Sequence, residues 1–248
     1  MRTLVSILSF LILVSVANAQ TNVSGIINKD STWTTAKSPY IVTGSLTVNA
    51  PFTLTVDSGV VVRLQSGNSL VVKGTLRARQ AVFTSSKDTS GGNPLKGDWA
   101  AIYMNSATAV LVLDTCVVKF GGGSSTPMIY SNPAITSATL TNCSVLNSNY
   151  WGIYLPTTSS ATITNSIISN SSSGGVYLSS PTMSVTGTAI SNSAGLGLQL
   201  NNGTNAIVAN CTIAGSTNGQ GLWIGSTNSS VNNCAISGSS SNGLQVNG

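Results

Sequence analysis

Asp30, Asp57, Asp88, Asp98 and Asp114 are the five carboxylic side chains of the 248-residue chain, which contains no glutamate and no histidine. Hydrolysis of a glycosidic bond calls for two carboxylates a few ångströms apart, and Ca²⁺ calls for several hard oxygen ligands. Asp57 precedes Ser58-Gly59 in a turn, and Asp114 stands where a strand meets a corner, so both have ordinary turn roles. Asp88 and Asp98, close to Lys87 and Lys96, are the weak candidates for a small ionic or metal cluster, which would need backbone oxygens to complete it. From Phe120 to Gly248 there is no Asp, Glu, Lys, Arg or His. That half lacks any ordinary general acid or base. The expectation is therefore no catalytic residue, no cofactor and no committed metal site in these residues.

Four cysteines, Cys116, Cys143, Cys211 and Cys234, are the other reactive side chains. Without histidine or a Cys-x-x-Cys pair they make a poor metal site. Cys143, Cys211 and Cys234 share one position of a repeat that Ser166 and Thr188 fill in between, which favours a buried column of small residues. If neighbouring turns of the repeat stack about 4.8 Å apart, Cys116 with Cys143 and Cys211 with Cys234 also fall within disulfide range, and both readings stay open.

Tyr154, Tyr177, Gln199, Trp223 and Gln245 each follow a glycine and an apolar residue, at the same point of the same repeat. A column of aromatics and amides on a flat sheet suits sugar rings and hydroxyls, so these five residues are the candidate glycan-binding set, for a polysaccharide or surface glycan. The structural alternative is that exposed aromatics favour strands and shield the backbone. Tyr150 and Trp151 lie at the preceding turn and would widen the patch or cover the core. A crystal surface such as ice is a further class, suggested by Thr139-Leu140-Thr141 and Thr162-Ile163-Thr164, but the pattern decays to Ile207-Val208-Ala209.

The elements that must carry these residues are strands. Charged residues make up only 6% and hydrophobic residues 41%, with Gly, Ser, Thr and Asn between them, which supports a sheet core and leaves little for surface helices. Leu140, Ile163, Val185, Val208 and Val231 recur at a near-constant step and so mark a coil repeat. Each repeat holds a strand such as Ala161-Thr162-Ile163-Thr164 and a second such as Gly175-Val176-Tyr177-Leu178, whose alternation turns Val176 and Leu178 inward. Asn142, Asn165, Asn210 and Asn233, with Gly187 in register, form a bend column able to take left-handed backbone angles. With Cys143, Cys211 and Cys234 they make the structural ladder.

Residues 1–19 read as an export signal: Arg2, an apolar run from Leu4 to Val16, then Ala17-Asn18-Ala19. Residues 20–40 read as an N-terminal lead-in or cap. Residues 41–84 read as narrower coils, 85–98 as an insertion loop and 99–248 as wider coils. The last strand runs to Gly248 with no capping element, so truncation is expected. No later segment is apolar and long enough to span a membrane as a helix. The formal net charge is +5, and Arg63, Lys73, Arg77 and Arg79 make the first coils basic, attractive to an anionic glycan; no nucleic-acid motif accompanies them.

The coil repeat, together with Trp33, Pro39-Tyr40-Ile41-Val42-Thr43-Gly44, Asp57-Ser58-Gly59-Val60-Val61-Val62 and Gly97-Asp98-Trp99, resembles the right-handed parallel β-helix proteins of the pectate-lyase-like superfamily, of the exported bacterial surface type. The resemblance implies an all-β solenoid secreted or displayed at the cell surface. It also implies a structural, adhesive or glycan-contacting role; the alternative is the scaffold part of a polysaccharide lyase or glycoside hydrolase. The family's lyases use acidic calcium ligands with a basic proton acceptor, and its hydrolases a group of aspartates. Nothing between Phe120 and Gly248 matches either set.

Overall fold

Residues 135–155 form one complete coil and give the rule for the others. In Ile135–Thr141 apolar and hydroxyl residues alternate, so Ala138 and Leu140 point inward while Thr139 and Thr141 face out. Asn142 then turns the chain at φ 54°, Cys143 points inward, and Ser144–Leu146 forms a second strand with Val145 buried. Asn147, at φ 59°, makes a second bend, and a short connection leads to the third strand, Ile153–Leu155. Coils stack in parallel register, Thr139 on Thr162, Val145 on Ile168 and Tyr154 on Tyr177. The result, in a computed structural model that describes residues 20–247, is a three-sided parallel β-helix. The expected signal at 1–19 and the final Gly248 lie outside the described residues.

The first face holds nine strands, from Ser31–Trp33 to Ser230–Asn232. The second and third faces stack beside it and are joined at their beginning by Tyr40–Val48, which pairs with Val61–Leu64 through its first half and with Leu70–Val72 through its second. Only one turn of 3₁₀ helix, Thr35–Lys37, interrupts the strands of the described residues. The interior is one continuous apolar column in which Leu54, Leu76 and Leu111 stack, as do Leu113, Leu140, Ile163 and Val185.

Three expectations change. Each coil has three strands where the repeat suggested two; the extra one is short, with a single inward side chain, as in Val145, Ile168, Ile190 and Ile213. The first coils are not narrower: Ser31 pairs with Leu54 and Thr53 with Thr75, steps as long as those from Ser137 to Ser160 and from Ser160 to Thr182. Residues 20–40 are not a separate cap, because Thr21–Ile27 pairs with Tyr40–Val48 and Ser31–Trp33 with Thr53–Val56 as members of the stack.

Length varies at one corner instead. Thr75 pairs with Val110 and Val110 with Ser137, both longer steps than the one from Ser137 to Ser160. Both coils carry their extra length between the second and third faces, after Val82–Ser85 and after Val117–Lys119. The first of these connections runs over residues 86–101.

Candidate functional site

The third face presents one outward residue per coil at its centre. After Thr47 and Val71 of the first coils, these are in register Tyr103, Tyr130, Tyr154, Tyr177, Gln199, Trp223 and Gln245. The five expected residues are thus brought into one column, and Tyr103 and Tyr130 extend it. Those two escaped the sequence reading because neither strand is entered through a glycine, and Tyr103 also stands further from the next tyrosine than the repeat allows. The signal they do carry is an apolar-Tyr pattern in Ile102-Tyr103-Met104 and Ile129-Tyr130.

The rings stack on each other. Tyr103 and Tyr130 lie 5.2 Å apart at 12°, and Tyr154 and Tyr177 4.4 Å apart at 22°. Trp151 stands edge-on to Tyr154 and Tyr177, at 5.6 and 6.0 Å. Its indole lies across Gly174, where any side chain would overlap the ring. Because the tyrosine faces are turned toward one another, the column offers outward mainly ring edges and phenol hydroxyls, rather than the flat platform the sequence suggested. Tyr177 Oη accepts a hydrogen bond from Asn201 at 3.0 Å, and Tyr103 Oη donates to the Asn132 carbonyl at 2.9 Å.

The loop after Val117–Lys119 rises beside this column. Ser125, Thr126 and Pro127 form one wall, Tyr150 and Trp151 another, and Tyr130, Tyr154, Tyr177 and Gln199 the floor of an open groove of about 490 Å³. Trp223 and Gln245 continue the column beyond it, with Gln220 donating to Gln245 at 2.8 Å. Burial, and then the neighbouring Tyr177, raise the Tyr154 phenol above its ordinary pKa, so it remains a hydrogen-bond donor at neutral pH.

The other candidates sit elsewhere. Asp98 is buried and accepts from Lys87 Nζ at 2.7 Å, Ser85 Oγ at 2.8 Å and the Leu95 amide at 2.9 Å. Asp88 accepts from Thr84 at 2.8 Å and lies 2.9 Å from Lys119 Nζ. Burial opposes ionisation of both, but the hydrogen bonds and charge of Lys87 together with the Leu95 amide and Ser85 for Asp98, and of Lys119 together with Thr84 for Asp88, jointly outweigh it and hold each carboxyl below its usual value. The expected ionic cluster exists with Lys119 in place of Lys96, which instead donates to Asn170 at 2.7 Å and Ser172 at 3.3 Å. These contacts tie the insertion to the wall of the stack, with each carboxylate engaged by a lysine. Among the described residues, no three His, Cys, Asp or Glu side chains gather as a metal-holding group.

Arg77 and Arg79 line a second, shallow groove on the first face with Asp57 and Asp114, where Arg79 lies 3.5 Å from Asp114 with both side chains well exposed. Such a solvated pair contributes little.

The bend residues and the small residues after them follow one another coil by coil. Asn142, Asn165, Asn210 and Asn233 all adopt φ between 50° and 56°, with Gly187 at 59°, and Asn233 donates to Asn210 at 2.7 Å. At the next position each side chain donates to the carbonyl two residues back: Cys143 to Thr141, Ser166 to Thr164, Thr188 to Thr186, Cys211 to Ala209 and Cys234 to Asn232. A hydroxyl or a thiol does this equally, which explains their interchange. The second bend column, Asn147, Asn170 and Asn192, was not read from the sequence.

No helix among the described residues is long and apolar enough to cross a membrane. No curated protein matches the chain. Residues 128–248 match the family model described as right handed beta helix region. That segment carries most of the tyrosine column and the whole groove floor, and its coils continue the register of those before it without a break. The chain is accordingly a right-handed parallel β-helix repeat protein, a fold consistent with the pectate-lyase-like superfamily.

Proposed function

We propose that this protein is an exported, surface-type β-helix whose third face binds a neutral polysaccharide, without cleaving it. The observation that supports this reading is the groove beside the tyrosine column, lined by phenols, an indole, hydroxyls and an amide, with no Asp, Glu, Lys, Arg or His among its lining residues. Such a lining can exchange hydrogen bonds with sugar hydroxyls and cover ring carbons with Trp151, but it offers nothing to neutralise a uronate or sulfate. The groove runs along the stack, and successive coils about 4.8 Å apart repeat the same contacts, which suits a linear chain of like units. Export rests on the N-terminal signal pattern.

The test is calorimetric titration of neutral and acidic oligosaccharides into the purified protein, with a depolymerisation assay run in parallel with and without Ca²⁺. Binding of a neutral glycan, absent in Trp151→Ala, supports the reading. Preference for acidic chains defeats the neutral-ligand assignment. Cleavage would make this chain part of a lyase or hydrolase instead.

A further inference from the structure

The four cysteines fall into two neighbouring-coil pairs. Asp114 stacks on Thr141 and Val117 on Ser144, which puts Cys116 in register with Cys143. Ala209 stacks on Asn232 and Thr212 on Ala235, which does the same for Cys211 and Cys234. Between the pairs the same column holds Ser166 and Thr188, so no cysteine lacks a cysteine neighbour. All four are free thiols, three of them buried and Cys234 partly so.

Cys143 and Cys234 reach back toward the coils that carry Cys116 and Cys211, while Cys211 itself faces the Val185 carbonyl of the coil before it at 3.3 Å. Cys143 Sγ lies 3.4 Å from the Leu113 carbonyl, and Cys234 Sγ 3.7 Å from the Val208 carbonyl, in each case a group of the coil that carries its partner. In-register residues of adjacent parallel strands are about 4.8 Å apart at Cα, inside the range of roughly 4.4–6.8 Å that disulfides span.

We propose that Cys116 with Cys143, and Cys211 with Cys234, are two oxidisable pairs that close into coil-to-coil disulfides when the chain folds in an oxidising environment. The oxidant is a small-molecule or protein disulfide. One cysteine thiolate attacks it, releasing one thiol of the oxidant and forming a mixed disulfide. The second thiolate then displaces the remaining thiol. Each pair gives up two electrons and two protons, and the oxidant's disulfide becomes two thiols. Burial of the folded sulfurs places the reaction during folding and protects the product afterwards. The geometry is independent of the glycan reading, and only the occurrence of the bonds in the cell rests on export.

The experiment refolds the full chain from the reduced, denatured state in a glutathione redox buffer and verifies the sheet by circular dichroism. Remaining thiols are then alkylated, and the protein is cut with chymotrypsin without reduction, because residues 120–248 offer trypsin no Lys or Arg. Mass spectrometry is expected to find the peptides of Cys116 linked to those of Cys143, and of Cys211 to those of Cys234. Melting should fall by roughly 6–12 °C per bond on reduction. Cys143→Ser and Cys211→Ser, which install a residue the column already uses at Ser166, should each remove one link and keep the fold. Four alkylated cysteines in the refolded protein, links in other pairings, or links between chains would overturn the proposal.

Discussion

Tyr154 and Tyr177, one coil apart in sequence, lie ring on ring at 4.4 Å because the strands that carry them are in register. Each ring is thus held by its neighbour before any ligand arrives, which lowers the entropic cost of binding. Trp151→Ala and Tyr177→Ala are each expected to weaken a neutral oligosaccharide by about tenfold or more, and Tyr177→Phe by less. Titration calorimetry measures this.

The same groove predicts an unusual insensitivity. Burial raises the Tyr154 phenol, so it keeps its proton through neutral and mildly alkaline solution. Affinity is expected to be flat from about pH 5 to 9 and to fall only above the ordinary tyrosine value of about 10. It should also be unchanged by added salt, since no charge lines the groove. A steep salt dependence in the same titration would contradict this.

Asp98 gives the opposite pH signature. Against the opposing effect of burial, hydrogen bonds from Lys87, the Leu95 amide and Ser85 hold its carboxyl below the usual value, so the stabilisation it adds is present above the unfolded value of 3.8 and is lost as pH falls through the lower folded one. Acid should therefore release the insertion while the sheets persist. Hydrogen exchange below about pH 4 is expected to show residues 86–98 opening first, and Asp98→Asn to show the same at neutral pH.

Ile163 is fully buried between Leu140 and Val185 in the interior column. Ile163→Ala is expected to cost about 2–5 kcal/mol, read from chemical denaturation. In a stack where each coil touches only its neighbours, the loss should appear as local opening of coils around residue 163 as well as a lower midpoint.

Gly187 is the only rung of its bend column between Asn142 and Asn233 that is not asparagine. Its left-handed φ of 59° costs an alanine roughly 1–2 kcal/mol, and a Cβ there would press on the Asn165 side-chain oxygen. Asparagine tolerates that backbone angle and can turn its amide into the ladder. Gly187→Ala is expected to lower the melting temperature, and Gly187→Asn to restore most of it.

The repeat was legible because Leu140, Ile163 and Val185 recur with their bends and glycines attached. The second strand of each coil was not, since Val145 or Ile168 alone between polar residues gives no alternation to detect. Tyr103 and Tyr130 were hidden because no glycine precedes their strands and because the long corner between them breaks the spacing on which the column was found. Residues 31–33 looked like a lead-in because so short a strand shows its place only through its partner at Leu54–Val56. Lys119, which pairs with Asp88, could not be found at all by proximity in sequence; the stack brings it there from the next coil.

Both lengthened coils put their extra residues at the one corner that borders the tyrosine column, and the sheets on either side keep their register. Scaffold and specificity are therefore separately adjustable. Replacing residues 121–127 with loops of other lengths would redraw one wall of the groove while the strands that carry its floor remain in place, making this corner the natural point for redirecting the protein to a different ligand.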